Sequence, residues 1–249
     1  LGDAFTEAAT PDTQVTRADN FLYTRGNFEQ HRFSSNILES AREALERSLT
    51  DESRRQDPLA WAMTQNSLGN ILAALAQQQH HADLYEMAIQ CFTRALEEVS
   101  REKTPLDWAA TQFNLGTAMQ ALGRQLDDKK LLDAAIDAYT NALLEWSQNE
   151  TPEEWAFTML QLGATLHAYG KLLKGNRTFQ KSVVAYKNAL KALDADNYAL
   201  ELAAAHNNCG AVLHHLGETE DNPERLEEAV RAYETALTVC MEQQRPIHL

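Results

Sequence analysis

Residues 104–150 read TPLDWAATQFNLGTAMQALGRQLDDKKLLDAAIDAYTNALLEWSQNE. Thr104 stands before Pro105, a hydroxyl at an N-cap followed by proline at the first helical position, where its missing N–H costs nothing. Trp108, Leu115, Met119 and Leu122 then fall on one stripe at the helical period. Gly123 follows the last of them, the place where a glycine in left-handed conformation ends a helix, so helix A is predicted to stop there. After a polar linker of about seven residues, Leu132, Ala135, Ile136, Tyr139, Ala142, Leu143 and Trp146 define a second amphipathic helix, helix B. At Thr151-Pro152-Glu153-Glu154 the opening signal returns as a capping box.

Outward from this stretch the pattern recurs every 47 residues. Proline at 11, 58, 105, 152 and 246, glycine at 69, 116, 163 and 210, alanine at 95, 142, 189 and 236, and the rings Phe92, Tyr139, Tyr186 and Tyr233 all keep the beat. Trp61, Leu68, Leu72 and Leu75 copy the helix A stripe, as do Trp155, Leu162, Leu166 and Tyr169. The organisation is one continuous repeat domain over 11–245, with an N-terminal extension at 1–10. Its units are 11–57, 58–104, 105–151, 152–198 and 199–245, and 246–249 opens a further, truncated one. Unit 11–57 is degenerate, with Leu22 where the glycine belongs. Such units bury their apolar faces against their neighbours, and no alternating strand pattern competes, so the fold class is all-α. Mid-helix glycine costs about 1 kcal/mol against alanine, so its recurrence implies close helix approach there and, likewise, at Ala88, Ala135, Ser182 and Ala229.

The bulk numbers remove several function classes. Net charge is -14 with a pI near 5.0, which turns the phosphate attraction behind nucleic-acid binding into repulsion. No apolar run approaches the roughly 18 residues of a membrane span. The three cysteines, Cys91, Cys209 and Cys240, occupy core slots of the repeat, arguing against a disulfide framework and for a reducing, cytoplasmic setting. His80-His81 and His214-His215 lack the i, i+4 spacing of helical metal ligands, and no nucleophile, carboxylate dyad or phosphate loop stands at a mechanistic spacing. No catalytic residue, metal or cofactor is therefore expected.

Leu115-Gly116, Met119, Ala135-x-x-x-Tyr139, Ala142 and Pro152 resemble the tetratricopeptide repeat pattern. Leu68-Gly69, Ala88-x-x-x-Phe92 and Ala95, then Leu162-Gly163, Ser182-x-x-x-Tyr186 and Ala189, then Cys209-Gly210, Ala229-x-x-x-Tyr233 and Ala236 repeat it. The unit is longer than the family's usual repeat of about 34 residues, and the tryptophan stands further from the leucine. The resemblance implies a right-handed superhelix of helical hairpins whose concave face, lined by helices A, binds a peptide or protein segment. It implies a scaffold instead of an enzyme. A regulatory or oligomerisation module of a larger enzyme or signalling protein is the alternative.

On helix A, the slots opposite the apolar stripe hold Met63, Asn66, Phe113, Gln120, Phe157, Leu160, His167, Asn207 and His214. Several are large and apolar where a solvent face would be polar, the mark of an interaction surface. The competing reading packs Phe113, Phe157 and Leu160 against the neighbouring helix A. Asn114 and Asn208, one residue before the recurring slot of Leu115 and Cys209, offer amides that both donate to and accept from a peptide backbone. The last full unit lacks a successor, which allows self-association through that end.

Overall fold

The computed structural model describes residues 35–193 and 197–243, so the expectations for 1–34, including the first helix of unit 11–57, and for the stub at 246–249 lie outside the described residues. The chain is all-α, with no strand among the described residues. It divides into two compact units at Val99 and Ser100, within the predicted unit 58–104 and five residues before its end.

The first unit holds α1 (Ser35–Ser48), α2 (Asp51–Gln56), α3 (Pro58–Gln79) and α4 (Ala82–Ala95). α1 begins 47 residues before α4, so it is the helix B of the degenerate repeat. Together with α2 it packs on α3, and α3 and α4 form a hairpin. Among the described residues α2 has no counterpart helix in later repeats. Its start is closed by Thr50 and Ser53, whose hydroxyls each accept the other's backbone N–H, at 3.0 and 2.9 Å. Arg54 lies 4.6 Å over the Trp61 ring while its Nε donates to Glu98 at 2.6 Å. One period on, in the second unit, Arg101 pairs with Glu145 in the same way.

The second unit comprises three hairpins: α5 (Pro105–Gln125) with α6 (Lys129–Ala142), α7 (Pro152–Leu173) with α8 (Asn176–Ala192), and α9 (Ala199–Thr219) with α10 (Pro223–Gln243). Each helix B also packs on the next helix A, α6 on α7 and α8 on α9, and helices A touch one another more lightly. An internal helix A therefore has neighbours on three sides.

Proline stands in the first turn of α3, α5 and α7, as the sequence predicts. The caps are more varied. Asp57, Asp128 and Asn222 accept backbone N–H groups of the following turn, at 3.0, 2.7 and 3.0 Å. Thr104 and Thr151 do not cap: the Thr151 hydroxyl instead receives Ser147 N–H at 2.9 Å, stitching the preceding loop. The capping box expected at Thr151 is thus absent.

The helix stop also differs from expectation. Gly123, Gly170 and Gly217 lie inside their helices, and no described glycine has positive φ. The left-handed residues are His80, Asp127, Lys174 and Asp221, a single slot recurring every 47 residues, with φ between 48° and 56°. Helices A accordingly run further, and the connections to helix B are two or three residues long. The three glycines answer to space. A Cβ at Gly123 or Gly170 would stand 3.1 Å from Leu132 or Phe179, and one at Gly217 2.6 Å from Leu226. Gly69, Gly116, Gly163 and Gly210 do the same opposite Phe92, Tyr139, Tyr186 and Tyr233, the close approach that their periodicity implies.

Candidate functional site

The predicted binding slots do not form one open groove. Asn66, Phe113, Asn114, Gln120 and Phe157 are buried; Met63, Leu160 and His167 are half-buried; Asn207, Asn208 and His214 are exposed. Phe113 lies between the Tyr139 and Trp146 rings, at 5.6 and 5.7 Å between centroids. Phe157 meets the Tyr198 ring edge-on at 5.2 Å. Gln120 accepts the Tyr139 hydroxyl at 3.2 Å and donates to the Gln161 carbonyl of α7 at 3.3 Å. Leu160 packs against the cluster of Phe179, Val183, Tyr186, Cys209 and Leu213. For Asn66, Phe113, Asn114, Gln120 and Phe157 the groove assignment is therefore corrected: these side chains are buried within the packed helices. A helical wheel distinguishes the face toward the hairpin partner from the rest, and treats the side toward the next hairpin as open.

The same slots become accessible along the second unit. From α5 to α7 to α9, the slot of Phe113, Leu160 and Asn207 goes from buried to half-buried to exposed, and so does that of Gln120, His167 and His214. Among the described residues no helix stacks on the far side of α9, and its hairpin partner shows the larger consequence. On α10, Val230, Tyr233, Leu237 and Met241 are 54%, 36%, 61% and 57% exposed, spaced as one helical stripe. One period earlier, on α8, Val183 and Tyr186 are 6% and 2% exposed because α9 covers them. Cys240 belongs to this stripe and is exposed, correcting its assignment to a core slot. The α9–α10 face, with Asn207 and His214 on one side and the α10 stripe on the other, is the candidate site, whereas the Asn208 amide is set against the Tyr186 hydroxyl of α8. Periodicity alone places Val230 and Tyr233 in core slots, because they copy the buried Val183 and Tyr186.

In the first unit, a cavity of about 570 Å³ opens between α1, α2, α3 and α4. Trp61, Leu68, Leu72 and Cys91 form its apolar wall, and Glu46, Arg54, Arg94 and Glu97 its charged rim. Its thiol is not a poised nucleophile: burial pushes Cys91 up to about 11, and Cys209 likewise. Native alkylation with iodoacetamide at pH 8 is accordingly expected to modify Cys240 alone, and all three cysteines after denaturation. Intact-mass spectrometry reads the difference, and rapid modification of Cys91 or Cys209 in the native chain would contradict these environments.

Burial holds the His167 imidazole down to about 4, with Lys171, His215 and Arg124 adding to the effect. His206 is lowered by burial too. Both rings are neutral in the native chain near pH 7. An unfolded histidine binds its proton near pH 6.5, so between about 6.5 and 4 the unfolded state takes up more protons. Stability is therefore full above this window and is lost as pH falls through it. Melting temperature is expected to drop between pH 7 and 4.5 in the wild type, and to drop less in His167→Gln.

Among the described residues no group of three or more His, Cys, Asp or Glu is arranged to hold a metal ion, and no helix is long and apolar enough to cross a membrane. The chain matches no protein-family model, and no curated protein matches it.

Proposed function

We propose that this chain is a non-enzymatic scaffold of tetratricopeptide type that binds another polypeptide, with the α9–α10 face as the contact surface in the second unit. The observation that carries the reading is that Val230 and Tyr233 of α10 are exposed and covered by no helix among the described residues, while Val183 and Tyr186, one period earlier on α8, are covered by α9. A contiguous exposed apolar stripe rimmed by polar groups is the usual mark of protein association. A peptide lying along Asn207 and His214 would extend the contact onto α9, retaining the end of the expected groove that is accessible. Free thiols at the core slots of Cys91 and Cys209 suit a reducing, cytoplasmic compartment.

The stripe equally suits the oligomerisation reading, and introducing a charge on it separates the two. Leu237→Glu retains helical content, since the side chain is exposed. It is expected to eliminate a discrete set of co-purifying proteins relative to wild type in quantitative affinity capture, at unchanged sedimentation coefficient. An unchanged protein set would sink the scaffold reading at this face. A shift from dimer to monomer on ultracentrifugation would establish oligomerisation instead.

A further inference from the structure

In the first unit, the cavity between α1, α2, α3 and α4 combines an apolar wall with a buried polar group that no described residue satisfies. Trp61, Gln65, Leu68 and Leu72 fall at i, i+4, i+7 and i+11 on α3, one face of that helix, and all four line the cavity. Gln65 is thus set within an apolar stripe. It is 3% exposed, and its Oε1 accepts no hydrogen bond from any described residue. A buried carbonyl oxygen left unmatched costs about 1–3 kcal/mol, and a ligand N–H or O–H donor in the cavity would remove that cost. At about 570 Å³ the space falls within the range of about 300–1,000 Å³ typical of small-molecule sites. The lining is particular to this repeat: Met87, Cys91 and Arg94 of α4 give way one period on to Ala134, Ala138 and Asn141.

The rim selects by charge. Glu46, Asp51 and Glu97 stand on it against Arg54 and Arg94. Arg54 is engaged within the protein, over the Trp61 ring and paired with Glu97 and Glu98, so a cation already rests against the indole of the cavity. Arg94 is exposed, and water screens its charge. Glu46 is paired with Arg42 at 3.1 Å, whereas Asp51 pairs with no cation among the described residues. An acidic rim on a chain of net charge -14 favours a cationic head group over an anionic one.

We infer that this cavity binds a small aromatic amine. Its ring lies against Trp61, Leu68, Leu72 and Cys91, an N–H or O–H of the ring donates to Gln65 Oε1, and its ammonium, on a short tether, meets the carboxylates of the rim. The site is independent of the α9–α10 face, which belongs to the other unit, and of the scaffold reading. Affinity comes from apolar burial, and selectivity from the amide and the carboxylates.

The test uses the full chain and three indole probes in titration calorimetry. Tryptamine carries both features, 1-methyltryptamine lacks the ring N–H, and indole-3-propionate exchanges the ammonium for a carboxylate. Tryptamine is expected to bind at least about tenfold more tightly than the propionate, with the difference shrinking between 50 and 500 mM salt as screening grows. It is expected to bind about fivefold more tightly than 1-methyltryptamine, the factor for loss of one hydrogen bond. Gln65→Leu, an apolar replacement of similar size, should leave the melting temperature level or higher and bind both tryptamines equally. Met87→Trp fills the cavity from an exposed position on α4 and should weaken tryptamine binding at least about tenfold. Equal binding of both tryptamines to the wild type would overturn the assignment of the donor to Gln65. Propionate binding as tight as that of tryptamine would overturn the amine class. Absence of tryptamine binding at millimolar concentration, or binding undiminished in Met87→Trp, would overturn the inference itself.

Discussion

Phe113→Ala is expected to destabilise the protein by about 3–5 kcal/mol, the largest effect of any single truncation considered for this fold. The ring is fully buried and is held between Tyr139 and Trp146, so its removal leaves a cavity inside the α5–α6 hairpin. Transfer and cavity terms add, because close-packed aromatic neighbours relax only in part. Asn207→Ala, at the equivalent slot two repeats later, should change stability by no more than about 0.5 kcal/mol, since that side chain is exposed. Urea denaturation of both variants measures the contrast. A Phe113→Ala protein with wild-type stability and lost partner binding would restore this slot to an open groove.

Gly69→Ala should destabilise by up to about 2 kcal/mol, the balance of overpacking at about 1–3 kcal/mol and a helix-propensity gain of about 1 kcal/mol. The added Cβ would stand 2.6, 2.7 and 2.9 Å from three atoms of the Phe92 ring, and that ring is fully buried and cannot swing away. Gly210→Ala occupies the same slot with the opposite outcome. Its Cβ would lie 3.0–3.2 Å from Tyr233, a ring with solvent on one side and room to tilt. Helix propensity then dominates, and stability should stay level or rise by up to about 1 kcal/mol. Thermal melts of the two variants distinguish these signs. Equal destabilisation would mean that the face beyond Tyr233 is as closed as that beyond Phe92.

Both predictions depend on one distinction between copies of a repeat. Phe113 and Asn207, or Phe92 and Tyr233, are equivalent in the sequence, yet one of each pair is packed and the other is not. The candidate slots were legible as a set from spacing alone, and so was their departure from a polar solvent face. Their accessibility was not, because it depends on whether a further hairpin lies against that side. The α10 stripe eluded periodicity for the converse reason: Val230 and Tyr233 copy the core residues Val183 and Tyr186, and copying carries no information about coverage.

Local chemistry divided in a similar way. Proline at the start of α3, α5 and α7 was decisive because its fixed φ and missing N–H act within one turn. The glycines before each predicted stop were ambiguous, since small size serves a left-handed cap and a close helix crossing equally well. Here Leu132, Phe179 and Leu226 press on Gly123, Gly170 and Gly217, and the left-handed turn falls to His80, Asp127, Lys174 and Asp221.

By itself the sequence determined the helices, their pairing into hairpins and the 47-residue unit, because hydrophobic period, proline position and glycine–ring matching are all set within one copy. The tertiary structure alone decided which copies of a slot are buried, where each helix A ends and which face of α10 no described helix covers. Those depend on neighbours one period away, and burial is a property of the pair of surfaces that meet, never of one residue in isolation.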